Sequence, residues 1–424
     1  MLRMMCTGLI ICVSTLLITA CQSGNGSQTI QANFDSDIVD TALTELVGSN
    51  SVVGVSALIY SGDDEVYYGG FGQADREADR PWQRDTLVTI YSMTKPITGV
   101  TLMSLYEEGL FNLDDPLEKY LPEYADVKVL IGVHTDGTPL LESPHRPIKV
   151  IDIFRQTACF GYGSEDLPAS TFMNAAQVLD PSKPLSQFSQ ELAEVPLYCQ
   201  PGEQWKYGVA ADVQARLAEV ITGRPYEELV HERVLDPLKM SDTTYFVPPE
   251  QKHRLAAVYM RNEEGQLNRH PDTNVYSFRT EKPVQINGGH GLVSSIDDYM
   301  RFARMLQNEG TFQGVQILKP ETVALMSRDH LPKGITKRDF LPGKGQVGFG
   351  LDFAVRTAPP VDANEPYGVV GEFFWDGAAT PLFWVDPKND VTVVFLTQVL
   401  PFNLDAQAKF RRSVYEALGL AETN

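Results

Sequence analysis

The sequence has few basic residues for its length and lacks the long apolar run of a membrane-spanning helix. Lysine and arginine number 35 against 55 aspartate and glutamate residues, which gives the 424-residue chain a net charge of −20. A field of this sign repels phosphate backbones, which argues against nucleic acid as a partner. The apolar run from Leu9 to Ala20 is shorter than the roughly 20 residues that cross a bilayer.

Two common hydrolase signatures are also absent. The chain contains no Gly-x-Ser-x-Gly sequence, so it lacks the nucleophile of an α/β-hydrolase. Its seven histidines are scattered, and the pair His231-Glu232 is not followed by a metal ligand at helical spacing. This pattern argues against a zinc peptidase. We therefore expect no metal site and no cofactor.

The N-terminal residues predict export. Arg3 precedes the apolar run from Leu9 to Ala20, as in a signal peptide over residues 1–20. The run ends in Leu17-Ile18-Thr19-Ala20-Cys21, which resembles a bacterial lipobox with an acylated Cys21, followed by a polar tether over 21–34. We expect a periplasm-facing lipoprotein of the bacterial cell envelope, at the outer membrane, whose only membrane contact is its lipid anchor. Ordinary cleavage or a retained anchor helix are the alternatives.

Cysteine is scarce, with five residues in the chain. If Cys6 and Cys12 leave with the signal peptide and Cys21 is acylated, Cys159 and Cys199 remain in an oxidising compartment. The sequence leaves two outcomes open for this pair, a disulfide or two small buried thiols, because it does not give the distance between the Cα atoms.

Hydrophobic periodicity predicts an α+β fold for residues 35–420. Helices are expected at 38–47, 92–108, 209–221, 295–308 and 405–418, and strands at 52–60, 65–71, 348–355, 369–375, 382–385 and 391–397. Early and late strands then share one mainly antiparallel sheet flanked by the terminal helices. Strand patterns are scarce between them, which predicts an inserted all-helical lobe over approximately 113–285.

The strongest chemical signal is Tyr91-Ser92-Met93-Thr94-Lys95-Pro96, with a Ser-x-x-Lys where a helix begins. Residues three apart share a helix face, so a desolvated, neutral Lys95 amine could accept the Ser92 proton. At a helix start, the Ser92 backbone N–H suits an oxyanion. Four residues alone are a weak motif, because a surface serine and a solvated lysine often share a face.

Three further segments supply context. Pro201-Gly202-Glu203-Gln204-Trp205-Lys206-Tyr207 leads to a tyrosine that could act as a second base beside a charged lysine, or could be an ordinary half-buried aromatic. Trp375-Asp376-Gly377-Ala378 ends a predicted late strand, and Gly377 lets the backbone approach a ligand. An edge strand here could hold the acyl group by main-chain bonds and donate the Ala378 N–H as a second oxyanion contact; the alternative is an ordinary strand end with a turn glycine. His290 lies in a glycine loop that could border the cleft.

These motifs, in this order, resemble the serine β-lactamase and penicillin-binding-protein superfamily, and most closely class C β-lactamase-like proteins and family VIII carboxylesterases. Supporting matches are Leu113-Asp114-Asp115-Pro116, Gly288-Gly289-His290-Gly291-Leu292-Val293-Ser294, Phe349-Gly350-Leu351 and Phe383-Trp384-Val385-Asp386-Pro387. The resemblance implies a β-lactamase-like fold with Ser92 as the acylated nucleophile, Lys95 as its activating amine and Tyr207 as the base.

The departures from that superfamily favour esters. Where lactamases carry Tyr-x-Asn, this chain has Tyr207-Gly208-Val209 and so lacks a carboxamide for the β-lactam side chain. Where they carry Lys-Thr-Gly, it has Trp375-Asp376-Gly377, the form usual in the esterase branch. A His-Thr-Ser-Gly loop is replaced by Gln156-Thr157-Ala158-Cys159.

The sequence thus predicts a serine hydrolase that acts on a small-molecule ester through an acyl-enzyme. A β-lactamase or D-alanyl peptidase is the enzymatic alternative, and a non-catalytic envelope binding lipoprotein of the same fold is the other. The sequence discloses neither the natural substrate nor the oligomeric state.

Overall fold

Strands from both ends of the chain form the central sheet, as seen in a computed structural model that describes residues 34–164, 167–272, 280–362 and 364–421. The predicted signal peptide (1–20), Cys21 and the tether (21–34), apart from its last residue, lie outside the described residues. In the part of the chain that is described, no helix has both the length and the apolar character needed to cross a membrane.

The α-helices are α1 (Ser36–Gly48), α2 (Thr94–Glu107), α3 (Val150–Phe154), α4 (Pro168–Ala175), α5 (Leu185–Glu194), α6 (Ala210–Thr222), α7 (Tyr226–Val230), α8 (Ile296–Gln307), α9 (Pro320–Met326) and α10 (Leu404–Ala417). The strands are β1 (Gly54–Ser61), β2 (Asp64–Asp75), β3 (Arg80–Pro81), β4 (Val88–Thr89), β5 (Val129–Val133), β6 (Pro139–Glu142), β7 (Tyr259–Arg261), β8 (Leu267–Arg269), β9 (Val293–Ser294), β10 (Thr311–Phe312), β11 (Val315–Gln316), β12 (Val347–Phe349), β13 (Ala354–Arg356), β14 (Phe373–Asp376), β15 (Leu382–Asp386), β16 (Val391–Thr397) and β17 (Val399–Leu400).

The large sheet has eight strands in the order β12-β13-β14-β15-β16-β1-β2-β3. Each neighbouring pair is antiparallel. The early hairpin joins the late strands through β1 and β16, with Val55 opposite Thr397 and Ser61 opposite Val391. The predicted fold class, a mainly antiparallel sheet built from early and late strands, is confirmed.

Helices cover both faces of this sheet because its central strands are apolar on both sides. Along β15, Phe383 packs against Tyr299 of α8 with ring centroids 5.1 Å apart. The next residue, Trp384, contacts Phe410 of α10 at 5.8 Å. Successive side chains of a strand point to opposite faces, so α8 and α10 lie on opposite sides of the sheet.

The predicted helix boundaries have clear physical causes. The Ser295 hydroxyl accepts a hydrogen bond from the Asp298 N–H at 3.4 Å and caps the first turn of α8. Gly223 ends α6 in the left-handed conformation, with φ 68°. Asp35 caps α1 by accepting from the Asp37 N–H at 3.1 Å.

Two expectations about the middle and late segments need correction. The inserted region is mainly helical but also carries the hairpins β5–β6 and β7–β8, so it is not purely helical. The strand expected at 348–355 is a hairpin, β12–β13. The chain turns between the two strands at Asp352, which has φ 65°. Gly350 lies in the same turn, where a Cβ atom would be 2.1 Å from the Met326 carbonyl oxygen.

Candidate active site

Ser92 lies at the start of α2, in a short 3₁₀ helix over Tyr91–Met93. Tyr91 is buried and has φ 47°, a strained conformation for a bulky side chain. The hydroxyl of Tyr299 in α8 donates a hydrogen bond to the Met93 carbonyl oxygen at 2.8 Å. The backbone around Ser92 is therefore held by the packed helix behind it.

The side chain of Lys95 is fully buried and directed at Ser92. Its Nζ donates to the Ser92 Oγ at 3.1 Å, to the Gly289 carbonyl oxygen at 2.8 Å and to the Tyr162 hydroxyl at 2.9 Å. The Gly289 N–H donates to an Asp212 carboxylate oxygen at 3.0 Å, which fixes the orientation of that loop. Three acceptors around one nitrogen match the three donors of an ammonium group.

The surroundings of Lys95 bear on the charge that it carries. Burial disfavours its charged form, but the interactions with Tyr162 and Tyr207 outweigh burial and raise the pKa of Lys95. Burial raises the pKa of Tyr162. The direction of the Lys95 shift favours the ammonium, the form that supports Tyr207 as the base, over the neutral amine that the sequence also left open.

Tyr207 lies on the other side of Lys95. Its ring centroid is 4.7 Å from the Lys95 Nζ, and its interaction with that amine favours the charged form of Lys95. Stacking on Trp205 at 5.6 Å and an edge contact with Phe340 at 5.1 Å fix the plane of the ring. Ser92, Lys95 and Tyr207, which the sequence singled out separately, thus meet in one place.

Close packing requires a glycine directly after Tyr207, and Val209 then stands where lactamases carry the asparagine of Tyr-x-Asn. A Cβ atom at Gly208 would lie 2.2 Å from the Phe160 carbonyl oxygen. The Gly208 N–H donates to the Gln156 side-chain oxygen at 3.3 Å, and the Lys206 N–H donates to the Gln156 carbonyl oxygen at 2.9 Å. The replaced loop at Gln156 therefore packs directly on the segment that carries Tyr207.

The end of β14 approaches the nucleophile from the sheet. Gly377 follows the strand, and a Cβ atom there would lie 2.5 Å from the Ile90 carbonyl oxygen. The close approach that this glycine allows is thus to the backbone just before Ser92. The sequence predicted an edge strand here, but β14 lies between β13 and β15 in the sheet. On the β13 side, only Phe373 and Phe374 of β14 are paired.

Two cavities meet at Ser92, Tyr207 and Ala378, which line both. The first cavity has a volume of about 390 Å³ and contains His290, Tyr162, Asp212 and other polar side chains. The second has a volume of about 470 Å³. Its lining combines apolar groups with one charged pair and is completed by Phe340, Gly343, Lys344, Asp376, Gly377, Phe402 and Leu404. A substrate held at Ser92 has room on both sides of the reacting bond.

No sequence motif singles out Tyr162 or Lys344. Tyr162 lies between glycines in Gly161-Tyr162-Gly163 and follows Cys159, which forms a disulfide with Cys199 across 5.3 Å between Cα atoms. That bridge joins the Tyr162 loop to the segment that leads to Tyr207.

Lys344 places a positive charge close to Trp375, the residue that stands where lactamases have the lysine of Lys-Thr-Gly. Its ammonium binds the carboxylate of the neighbouring Asp376. Among the described residues, no cluster of three or more His, Cys, Asp or Glu side chains is arranged to bind a metal.

Known proteins are similar to this chain in sequence and in fold. A family model described as Beta-lactamase matches residues 39–417. An uncharacterized protein of Mycobacterium tuberculosis is 33% identical over 405 residues, which cover 89% of this chain and 98% of that protein. Lovastatin esterase of Penicillium rubens is 29% identical over 362 residues, 79% of this chain and 86% of the esterase. The solved structure of EstCE1, described as a hydrolase with promiscuous acyltransferase activity, has a TM-score of 0.74 at 23% identity and covers 92% of this chain and 100% of its own.

Proposed function

The chain belongs to the Beta-lactamase family, and on that premise we propose that this serine hydrolase cleaves small carboxylic esters through an acyl-enzyme on Ser92. The observation that carries the proposal is the buried Lys95 Nζ atom 3.1 Å from the Ser92 hydroxyl, with Ser92 and Tyr207 both lining a cavity of about 470 Å³. The esterase activity named for the Penicillium relative supports the choice of esters.

The proposed reaction divides the chemistry among these side chains. A Tyr207 phenolate, stabilised by the neighbouring Lys95 ammonium, accepts the Ser92 proton while the serine oxygen attacks the ester carbonyl. The backbone N–H groups of Ser92 and Ala378 bind the oxyanion. The carbon–oxygen bond to the alcohol then breaks, and Tyr207 returns the proton to the departing alkoxide. Water attacks the acyl-enzyme by the same path, which releases the acid and frees Ser92.

The same contacts disfavour a β-lactam. Val209 offers no carboxamide, and the lysine of the Lys-Thr-Gly motif is replaced by Trp375. A charged hydrogen bond to the β-lactam carboxylate would be worth about 1.5–3 kcal/mol. We therefore expect β-lactams to be poorer substrates than esters.

Substrate comparison tests this proposal. Purified protein is assayed with 4-nitrophenyl acetate and butyrate, with nitrocefin and with a D-alanyl-D-alanine peptide, alongside labelling by a fluorophosphonate probe. We expect ester turnover and labelling, both reduced at least about 10³-fold in Ser92→Ala. Turnover of nitrocefin or the peptide alone would contradict the ester assignment. A folded protein that is neither labelled nor active would favour the non-catalytic binding role.

Two matched variants identify the base. Tyr207→Phe and Tyr162→Phe each remove one hydroxyl that faces Lys95 and keep the ring. We expect Tyr207→Phe to lower kcat about 10²–10⁴-fold, the usual contribution of a general base. Tyr162→Phe removes one hydrogen bond to the ammonium and is expected to lower kcat by roughly 10-fold. The opposite ranking would assign the base to Tyr162.

We also propose that Cys21 carries a lipid and anchors the protein to the bacterial cell envelope, at the periplasmic side of the outer membrane. The Cys159–Cys199 disulfide supports an oxidising compartment. Metabolic labelling with an alkynyl fatty acid is expected to mark the intact protein and not Cys21→Ala. Label retained in Cys21→Ala, or absent from both proteins, would contradict acylation at this cysteine.

A further inference from the structure

The cavity of about 470 Å³ beside Ser92 ends at a buried ion pair. Lys344 closes the 3₁₀ helix Leu341–Lys344, and Asp376 closes β14. The Lys344 ammonium donates a hydrogen bond to the Asp376 carboxylate, and the two side chains are 4% and 9% exposed. Both residues line the cavity that Ser92 and Tyr207 also line. The pair therefore lies within reach of a substrate.

Aromatic rings enclose the Lys344 ammonium. Its Nζ is 4.6 Å from the ring centroid of Phe402, 5.2 Å from that of Trp375 and 5.4 Å from that of Phe340. The face of an aromatic ring attracts a cation, and this attraction is stronger where water is excluded. The rings thus hold a positive charge in an otherwise apolar cavity, where a substrate carboxylate would bind it strongly.

The Asp376 carboxylate already pairs with the Lys344 ammonium. Burial raises the pKa of Asp376, and the charges of Lys344, Arg411 and Lys95 oppose this rise by favouring the carboxylate. Arg411 is itself engaged, because it donates to Glu372 and to the Tyr367 carbonyl oxygen. A second carboxylate entering the cavity would meet Asp376 as a like charge with Lys344 already paired.

We propose that the Lys344–Asp376 pair selects the substrate: it makes this cavity accept an uncharged apolar part of the ester and reject a carboxylate. Removing the Asp376 charge then leaves the Lys344 ammonium free to bind an anionic substrate. The inference rests on the proposed ester hydrolysis and adds the charge class of the substrate. It concerns binding in the cavity and involves no additional chemical step.

The test compares each anionic ester with its neutral methyl ester. Mono-4-nitrophenyl adipate carries the carboxylate on the acyl side and 4-acetoxybenzoate carries it on the alcohol side, so either orientation in the cavity is covered. The measured quantity is the ratio of kcat/KM for the anion to kcat/KM for its methyl ester. The proteins are the unmodified chain, Asp376→Asn, and Lys344→Met combined with Asp376→Asn. Asp136→Asn at the exposed turn of β5–β6 changes the net charge equally, away from the cavity.

The unmodified chain is expected to prefer the neutral member of at least one pair by about 10-fold or more. Asp376→Asn should raise the anion-to-neutral ratio for that pair by at least about 10-fold. The double variant should return the ratio to the original value, and Asp136→Asn should leave it unchanged.

Equal turnover of anionic and neutral esters by the unmodified chain would overturn the inference, even if Asp376→Asn does not fold. An unchanged ratio in folded Asp376→Asn, or an equal rise in Asp136→Asn, would also overturn it. Ester turnover that depends on Ser92 would leave the proposed function intact in these cases. Absence of any ester turnover would refute both.

Discussion

Replacing Asp152 by asparagine is expected to lower the free energy of unfolding by about 3 kcal/mol at pH 7. The Asp152 carboxylate is fully buried and accepts hydrogen bonds from Arg146 at 2.6 and 3.0 Å, from Arg155 at 2.9 Å and from the Thr157 hydroxyl at 2.8 Å. It also accepts the Lys149 N–H at 2.9 Å. One side chain thus fixes the loop that begins at residue 155 and leads to the disulfide.

The magnitude follows from what the substitution leaves behind. Breaking a buried ion pair costs about 3–5 kcal/mol, because the remaining charge stays uncompensated. The Arg155 side chain is 12% exposed and would keep much of that penalty, whereas the Arg146 side chain is 32% exposed and can regain water. Asparagine preserves the shape of the site, so no cavity cost is added. We therefore place the effect at the lower end of the range.

The pH dependence of this effect has a defined sign. Burial raises the pKa of Asp152, but the hydrogen bond from Arg146 and the charges of Arg155 and Arg146 outweigh burial and lower the pKa overall. Stability from a carboxyl with a lowered pKa is present above its unfolded value, near 4, and is lost as pH falls through the folded value. The difference between the two proteins should therefore shrink in acid.

Urea denaturation followed by tryptophan fluorescence measures the effect at pH 7 and at pH 3.5. Asp136→Asn is the control, because Asp136 is exposed and accepts only local hydrogen bonds from Thr138. A loss below about 1 kcal/mol in Asp152→Asn at pH 7 would refute the argument from the buried ion pairs. A difference that grows in acid would refute the argument from the pKa.

Three further outcomes are expected. Val209→Asn restores the Tyr-x-Asn pattern but puts a carboxamide where a fully buried valine stands, so we expect a loss of about 1–3 kcal/mol in urea denaturation and no gain in nitrocefin turnover. An active lactamase would contradict this. The double variant Cys159→Ser, Cys199→Ser removes a disulfide between residues 40 apart. It should lower the free energy of unfolding by about 4 kcal/mol, because the unfolded chain gains entropy. Equal urea midpoints for the oxidised protein and the double variant would contradict this. Burial raises the pKa of Asp298 to about 6, so the folded protein holds the proton more tightly than the unfolded chain does. The free energy of unfolding should therefore fall by about 3 kcal/mol as pH rises from about 4 to 6. Thermal unfolding of Asp298→Asn, followed from pH 4 to 7, should lack that decrease.

The sequence predicted the parts of the fold that depend on local pattern. The apolar spacing after Ser92, the cap at Ser295 and the stop at Gly223 each act within one or two helical turns, and each is found in the structure. The pairing of early and late strands was also predicted, because both groups needed partners. The turn inside 348–355 was missed because it is held by a contact distant in sequence, the hydrogen bond from the Leu351 N–H to the Met326 carbonyl oxygen.

The candidate site divides in the same way. Ser92 and Lys95 were predicted because a single helical turn relates them, and Tyr207 because it belongs to a recognisable motif order. Tyr162 and Lys344 were missed because their significance lies in contacts across the fold, with Lys95 and Asp376 respectively. The sequence left the charge of Lys95 open, since it depends on two phenols that only folding brings to it.

The pairing of β1 with β16 has a consequence for synthesis of the chain. A ribosome produces β1 and β2 early, but the segment that covers the other edge of β1 begins only at Val391. For most of translation that apolar edge has no native partner, and such edges bind strands of neighbouring molecules. A chain truncated before Val391 is therefore expected to bind other strands along this edge and to aggregate.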